Sequence, residues 1–477
     1  MVTVAISAVA GLPAKEWGQL QELLSVYNYH LSKNYTKERY YEGKISVSEV
    51  NLGIALPDGV KNLNIGCSWG AKTVDVLAAR SMFDGFVGIN GESVDELDRI
   101  TLDNNLIAEY MKACRDELKY GCTFATLSAD DEIGCKIRFH SPKTAAALWD
   151  GDKGRISCGF AIVDSVPDES ESATWTPSLI NLYTDDCIWV LRRVNDGGGW
   201  LAVPNYHNMG RPLMEALIWN ATSNKPFGRS RIKEPIRNLI DGYVRTVANA
   251  TIGLEFSTTP QKYLLGVTDE QYDVLVNNKF KQYVGSILTA TTNPETGEKP
   301  SFGQLLQGNI QPHVEMMRIL ATQFSAASGL SVTDTGVVND ANPTSADAVN
   351  AQMVTLIGTA GQLNTSNGNA LRTIALMALA IVNKTSINEL SDAERDIMAH
   401  FKNPAMPSIA QTADAAIKIA SAREGFANTD TFLAMIGFDA AEIRRIKGEE
   451  RYSRGLNLMN EIVSAVETEP ETEGDIE

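Results

Sequence analysis

No Cys-x-x-Cys pair, no His-Glu-x-x-His segment and no apolar run near the ~20 residues of a membrane span occur in this 477-residue chain. The six cysteines (67, 114, 122, 135, 158 and 187) all fall before residue 190, at spacings with no zinc-site rhythm. Buried thiols in a reducing compartment are therefore expected. The five histidines are isolated from any carboxylate pair at helical spacing, so neither a metal site nor a cofactor is expected. The longest apolar run is only Ile374 to Val382. Met1 to Leu12 is apolar and contains Ala8-Val9-Ala10, but no Lys or Arg precedes Lys15, and the positive leader of a secretion signal is missing. A soluble, intracellular protein is expected. Bases are scarce: 42 Lys and Arg face 59 Asp and Glu, for a net charge of −17. That excludes tight wrapping of nucleic acid, which relies on neutralised phosphates. It leaves open a protein that DNA must pass without sticking.

Hydrophobic residues at 44% and charged residues at 21% are ordinary globular usage, which excludes wholesale disorder. The length suggests about three domains, or one large elongated protomer. Trp17, Leu20, Leu24, Tyr27 and Leu31 recur at steps of three and four, predicting a helix over 14–34 and then a tyrosine-rich turn, Tyr35 to Gly43. A second helix is expected over 103–119, stopped by Gly121. From Thr123 to Pro204 short strands are expected, among them Lys136–His140, Ile156–Val163, Leu179–Tyr183 and Cys187–Val194. Ile232, Ile236, Leu239, Ile240 and Tyr243 predict a helix over 230–249, and another is expected over 311–327. Residues 328–343 have no periodicity and read as a loop. Thr344 and Asp347 have the spacing of a capping box and open a long helix through Val349, Met353, Leu356 and Leu363. Helices continue to about 460, and the acidic tail 461–477 is expected to be disordered. The fold class is α+β.

Three stretches look like chemistry. Gly66-Cys67-Ser68-Trp69-Gly70-Ala71-Lys72-Thr73 fits the serine-hydrolase elbow G-x-S-x-G. Lys61–Ile65 before it is too polar for a buried central strand, and no oxyanion segment lies upstream. The same residues nearly fit the phosphate-binding loop G-x-x-x-x-G-K-[ST], with Ala71 where the second glycine should turn backbone N–H groups onto phosphates. Phe160 to Asp164 could supply a magnesium carboxylate, but strands and helices do not alternate as a nucleotide fold requires. One octapeptide imitating two unrelated enzymes is a weak signal for either, and no catalytic residue is assigned. The third stretch is basic: Lys225, Arg229, Arg231, Lys233, Arg237 and Arg245 face only Glu234 and Asp241. It is a solvated helix face, or a face turned toward a polyanion or an acidic neighbouring subunit.

The order of several short patterns resembles the portal proteins of long-tailed bacteriophages, the head-to-tail connectors of the siphophage type, over about residues 20–445. Tyr40-Tyr41-Glu42-Gly43 resembles the family's Tyr-Tyr-x-Gly turn. Asn64 and Val74 to Phe86 resemble its helix followed by Gly-Phe, and Leu118 to Phe124 its Ala-Leu-x-Tyr-Gly-x-Phe strand start. His140-Ser141-Pro142 and Trp149-Asp150 follow in the family's order. Asn208 to Pro212 and Phe227 to Ile232 resemble Asn-x-x-Gly-x-Pro and Gly-x-Ser-acid-Ile, the latter with Arg231 in place of the acid. Ser328-Gly329-Leu330, Asn342-Pro343 and Ser345 to Ala348 resemble the loop before its long helix.

The resemblance implies an elongated protomer. Residues 1–25 form an N-terminal segment, 26–227 the wing, 228–250 and 311–327 two stem helices, and 251–310 a mixed clip between them. Residues 328–343 form the tunnel loop, 344–383 the long wing or tunnel helix, 384–460 a helical crown, and 461–477 the tail. It implies a homo-oligomeric ring, twelve subunits in the family's usual form, at one capsid vertex of the virion, assembled in the host bacterial cytoplasm. Its partners would be the terminase large subunit, a head-tail adaptor protein, the major capsid protein and scaffold, and double-stranded DNA crossing the channel. The tunnel-loop residues are then Asp334, Val337, Val338, Asn339 and Asp340, and the stem basic face is Arg229, Arg231, Lys233, Arg237 and Arg245. The alternatives are a serine hydrolase or ATPase using residues 66–73, and a capsid structural protein that is not a portal.

Overall fold

A computed structural model describes residues 4–46, 65–89, 94–167, 175–194, 199–258, 262–266, 273, 292, 297, 299, 301–304, 309–336, 346–405, 409–423, 425–438 and 440–467. The chain is mixed α+β, and its described residues build two cores. The first core sits under α1 (Ala14–Tyr41). Its inward stripe, Leu20, Leu24, Tyr27 and Leu31, is buried on a six-stranded sheet. The sheet runs β1 (Val9–Ala10), β9 (Trp200–Tyr206), β8 (Cys187–Arg193), β7 (Trp175–Tyr183), β6 (Arg155–Pro167), β5 (Ala145–Asp150). Phe160, Ile180, Leu182, Leu191 and Trp200 meet the stripe from the sheet, joined by Val4 and Ile6 of the N-terminal segment. Each fully buried Leu or Phe contributes roughly 1.5–3 kcal/mol.

The second core collects α2 (Trp69–Ala78), β2 (Phe83–Gly88), α3 (Asp95–Asp103), α4 (Leu106–Tyr120) and a three-stranded sheet. That sheet runs β10 (Met214–Ile218), β3 (Cys122–Asp130), β4 (Gly134–His140). The core then extends to α5 (Glu234–Thr258) and α6 (Gln311–Ser328), and to the 37-residue α7 (Ala346–Val382). Leu371, Ile374, Met377, Ala378 and Leu379 of α7 are all fully buried, as befits a helix lying between β3, β4 and β10 on one side and β13 (Ile397–Phe401) on the other. Between α5 and α6 the described residues include one antiparallel pair, β11 (Lys262–Leu265) with β12 (Ser301–Gln304). The chain continues through α8 (Asp392–Arg395), α9 (Ile409–Ala422), α10 (Asp430–Ile436) and α11 (Ala440–Glu467). No described helix is long and apolar enough to cross a membrane. All six cysteines are buried and unbridged, and burial pushes the Cys67 thiol up to about 11.

Four elements differ from the sequence reading. The stretch read as a turn, Tyr35 to Gly43, is helical to Tyr41: Lys37, Glu38 and Arg39 are good helix formers. The Tyr40 hydroxyl donates to Asp241 (2.8 Å) and that of Tyr41 to Asp75 (2.9 Å), so these tyrosines dock the helix end. The helix read over 103–119 begins instead at Leu106: Asp103 ends α3, and Asn105, whose φ is 48°, separates it from α4. Asn104 stabilises the break by accepting from Ile137 N (2.7 Å) and donating to Cys135 O (2.9 Å). The region read as continuous helix to 460 contains β13, paired antiparallel with β2 from Ile397 opposite Gly88. Its five residues alternate too briefly to stand out between helical stretches. The tail read as disordered from 461 is helical to Glu467; residues 468–477 lie outside the described residues.

Candidate functional site

The octapeptide that imitates two enzymes is a structural junction. Residues 65–67 have no strand geometry, and α2 starts directly at Trp69, so the strand-to-helix turn of a nucleophile elbow is not formed. Ser68 and Lys72 are exposed. Gly70 packs where α2 meets the end of α1, and a Cβ there would sit 2.0 Å from Tyr40 O. The glycine serves a backbone-to-backbone contact, not a phosphate.

Trp69 is 3% exposed and lies between the two paired helices. Its ring stacks on Phe324 of α6 and tilts against Tyr243 of α5, with centroids 4.6 Å away in both cases. Its indole N–H donates to Thr335 O at 3.2 Å. Thr335 closes a 3-10 turn, Val332–Thr335, that follows α6. The turn is held from within: Ser331 N donates to Asp334 Oδ2 (3.2 Å) and Asp334 N to Ser331 Oγ (3.3 Å), a reciprocal capping box. Ser325 Oγ donates to Leu330 O at 2.6 Å, tying the turn to the last helical turn of α6.

Arg231 completes the junction. Its Nε donates to Thr73 O and its Nη2 to Ser328 O, both at 2.7 Å, with the guanidinium over the Trp219 ring. Ser328 O is among the last carbonyls of α6, which have no partner within the helix and carry its negative dipole end, so a planar cation suits it. Burial pulls the Arg231 pKa down to about 10, still far above neutral, and the group stays charged.

The residues expected for the basic face are divided by the structure. Arg229 and Lys233 are exposed, and Arg245 is half-buried. Arg237 lies over the Tyr40 ring at 5.8 Å, and Arg231 turns inward onto the junction. Of the expected loop residues, Asp334 folds back onto its own turn; Val337, Val338, Asn339 and Asp340 lie outside the described residues. Thr344 of the expected capping box and nearly all of 267–300 lie outside them too. Trp69 is not among the site residues expected from sequence; Arg231 is, but on an outward basic face, and its one signal of a different role is that it departs from its pattern. Among the described residues no three His, Cys, Asp or Glu gather as metal ligands.

The family described as phage portal protein, SPP1 Gp6-like, matches residues 20–455 of the chain. Similar solved structures include a chain from the neck of an empty GTA particle, at 13% identity over 77% of this chain and 89% of that one, TM-score 0.45. Another comes from the neck of a native GTA particle, at 12% identity over 78% and 89%, TM-score 0.45. A third, from the virion of a native gene transfer agent particle, has 13% identity over 78% and 89%, TM-score 0.44. No curated protein matches the chain.

Proposed function

Because the chain belongs to the SPP1 Gp6-like family of phage portal proteins, a structural and non-enzymatic component of the virion, we propose that it forms the ring at one capsid vertex through which the genome is packaged and ejected. The family match over residues 20–455 carries this reading. In it, α5 and α6 are the stem, the residues between them the clip that meets terminase and head-tail adaptor, and the helices after 384 the crown. The pairing of α5 with α6, joined by the β11–β12 ribbon, supports that division. A net charge of −17 suits a channel from which phosphates are repelled, so that DNA slides. Arg229 and Lys233, the exposed members of the basic face, would meet an acidic neighbouring subunit.

The segment 328–343 carries no Lys or Arg, so a channel loop built from it gives DNA no counter-ion to hold. Val337 and Val338 would press on the duplex while Asn339 and Asp340 keep the strip uncharged to acidic. Asp340→Lys places one attractive contact in every subunit at once. Packaging in procapsids carrying it should slow severalfold at low salt and recover as salt rises, with ring assembly unchanged. Unchanged DNA uptake at low salt would remove the loop from the channel constriction.

A further inference from the structure

We propose that Trp69 and Arg231 form a clasp that positions the turn Ser331–Gly336 where α2 meets the end of α6, making both of them positioning residues for this turn. Trp69 touches three elements at once: Tyr243 on α5, Phe324 on α6 and Thr335 O in the turn. Arg231 joins α2, through Thr73 O, to the end of α6, through Ser328 O. The turn is rigid inside because of the Ser331–Asp334 box, and Ser325 ties its start to α6. Its far end is gripped by the indole. With both ends held, the turn is fixed between α2 and the end of α6, and Arg231, just before α5, ties the start of that helix to the end of α6. An arginine is needed because its planar fork reaches two carbonyls from different elements; an ammonium is a point charge without that geometry. The clasp stands on these contacts alone. That it serves DNA movement rests on the portal reading.

Trp69→Phe keeps an aromatic ring between Tyr243 and Phe324 but removes the N–H donor. Arg231→Lys keeps the charge but breaks the fork. Full-length protein carrying each variant should form the same assembly as the native chain. Hydrogen exchange at the amides of Asp334 and Gly336, which are bonded to Ser331 O and Thr333 O, should quicken at least tenfold. Amides of β3 and β6 should be unaffected, and procapsids carrying either variant should package DNA severalfold more slowly. Unaltered exchange in the turn overturns the clasp; faster exchange with native packaging overturns its role in DNA movement. Failure of the native protein to support packaging in the same assay would instead overturn the portal reading.

Discussion

Gly70→Ala should destabilise the protein by about 3 kcal/mol or more, while Ser68→Ala and Lys72→Ala in the same octapeptide should each stay within about 0.5 kcal/mol. The added methyl would lie 2.0 Å from Tyr40 O and 2.7 Å from Tyr40 C. Both are backbone atoms at the docked end of α1, so no flexible side chain can move aside. The gain in helix propensity, about 1 kcal/mol for Gly to Ala, is too small to offset that overlap. Ser68 makes no side-chain cap bond and Lys72 is exposed, so neither truncation removes a buried contact. Denaturant unfolding of the three variants is the check. Equal losses, or loss of function in Ser68→Ala or Lys72→Ala with the fold intact, would restore chemistry to this loop.

A second large effect is expected at Glu117, a fully buried carboxyl on α4. Asn367 of α7 donates from Nδ2 to Glu117 Oε2 (2.8 Å) and to the Tyr110 hydroxyl (3.0 Å), which bonds Ser81 Oγ at 2.7 Å. Cys114 and Cys122 complete the weakly polar surroundings. Burial pushes the Glu117 pKa up to about 8, against the opposing effect of the Asn367 bond. Among the described residues no cation offsets the loss of hydration and Oε1 lacks a hydrogen-bond partner. Above the ordinary pKa of 4.5 the unfolded chain releases this proton while the folded chain keeps it. The contribution is therefore full below that pKa and is lost as pH rises toward 8, at about 1.4 kcal/mol per pH unit. Glu117→Gln removes the titration. The variant should melt several degrees above the native protein at pH 8 and close to it at pH 5, as read by thermal unfolding across that range. A difference independent of pH, or a variant less stable at pH 8, would show that the carboxylate is charged in place.

Periodicity located α1, α5, α6 and α7 because each buries a stripe of apolar residues that must recur with the helical turn. It misplaced ends where polar side chains decide them. The tyrosines at 40 and 41 extend α1 because Asp241 and Asp75, far along the chain, accept from their hydroxyls. Asn104 ends α3 because it satisfies backbone groups of β4. Neither partner is visible from local sequence. In sequence Trp69 is one residue of a short motif; what it does depends on Tyr243, Phe324 and Thr335, distant in sequence and adjacent only in the fold. Arg231 could be flagged as a departure from a pattern, but its inward turn could not be read from its neighbours. Five of the bases in that stretch read alike in sequence, and packing alone separates exposed Lys233 from enclosed Arg231.

Imaging by negative stain combined with mass measurement, on purified full-length protein and on capsid vertices that contain it, tests the ring most directly. The expected result is a closed ring with a central hole about as wide as a DNA duplex and a mass near twelve times the 51.9 kDa chain. Only monomers or dimers under every assembly condition, capsids included, or oligomers without a central hole, would contradict it.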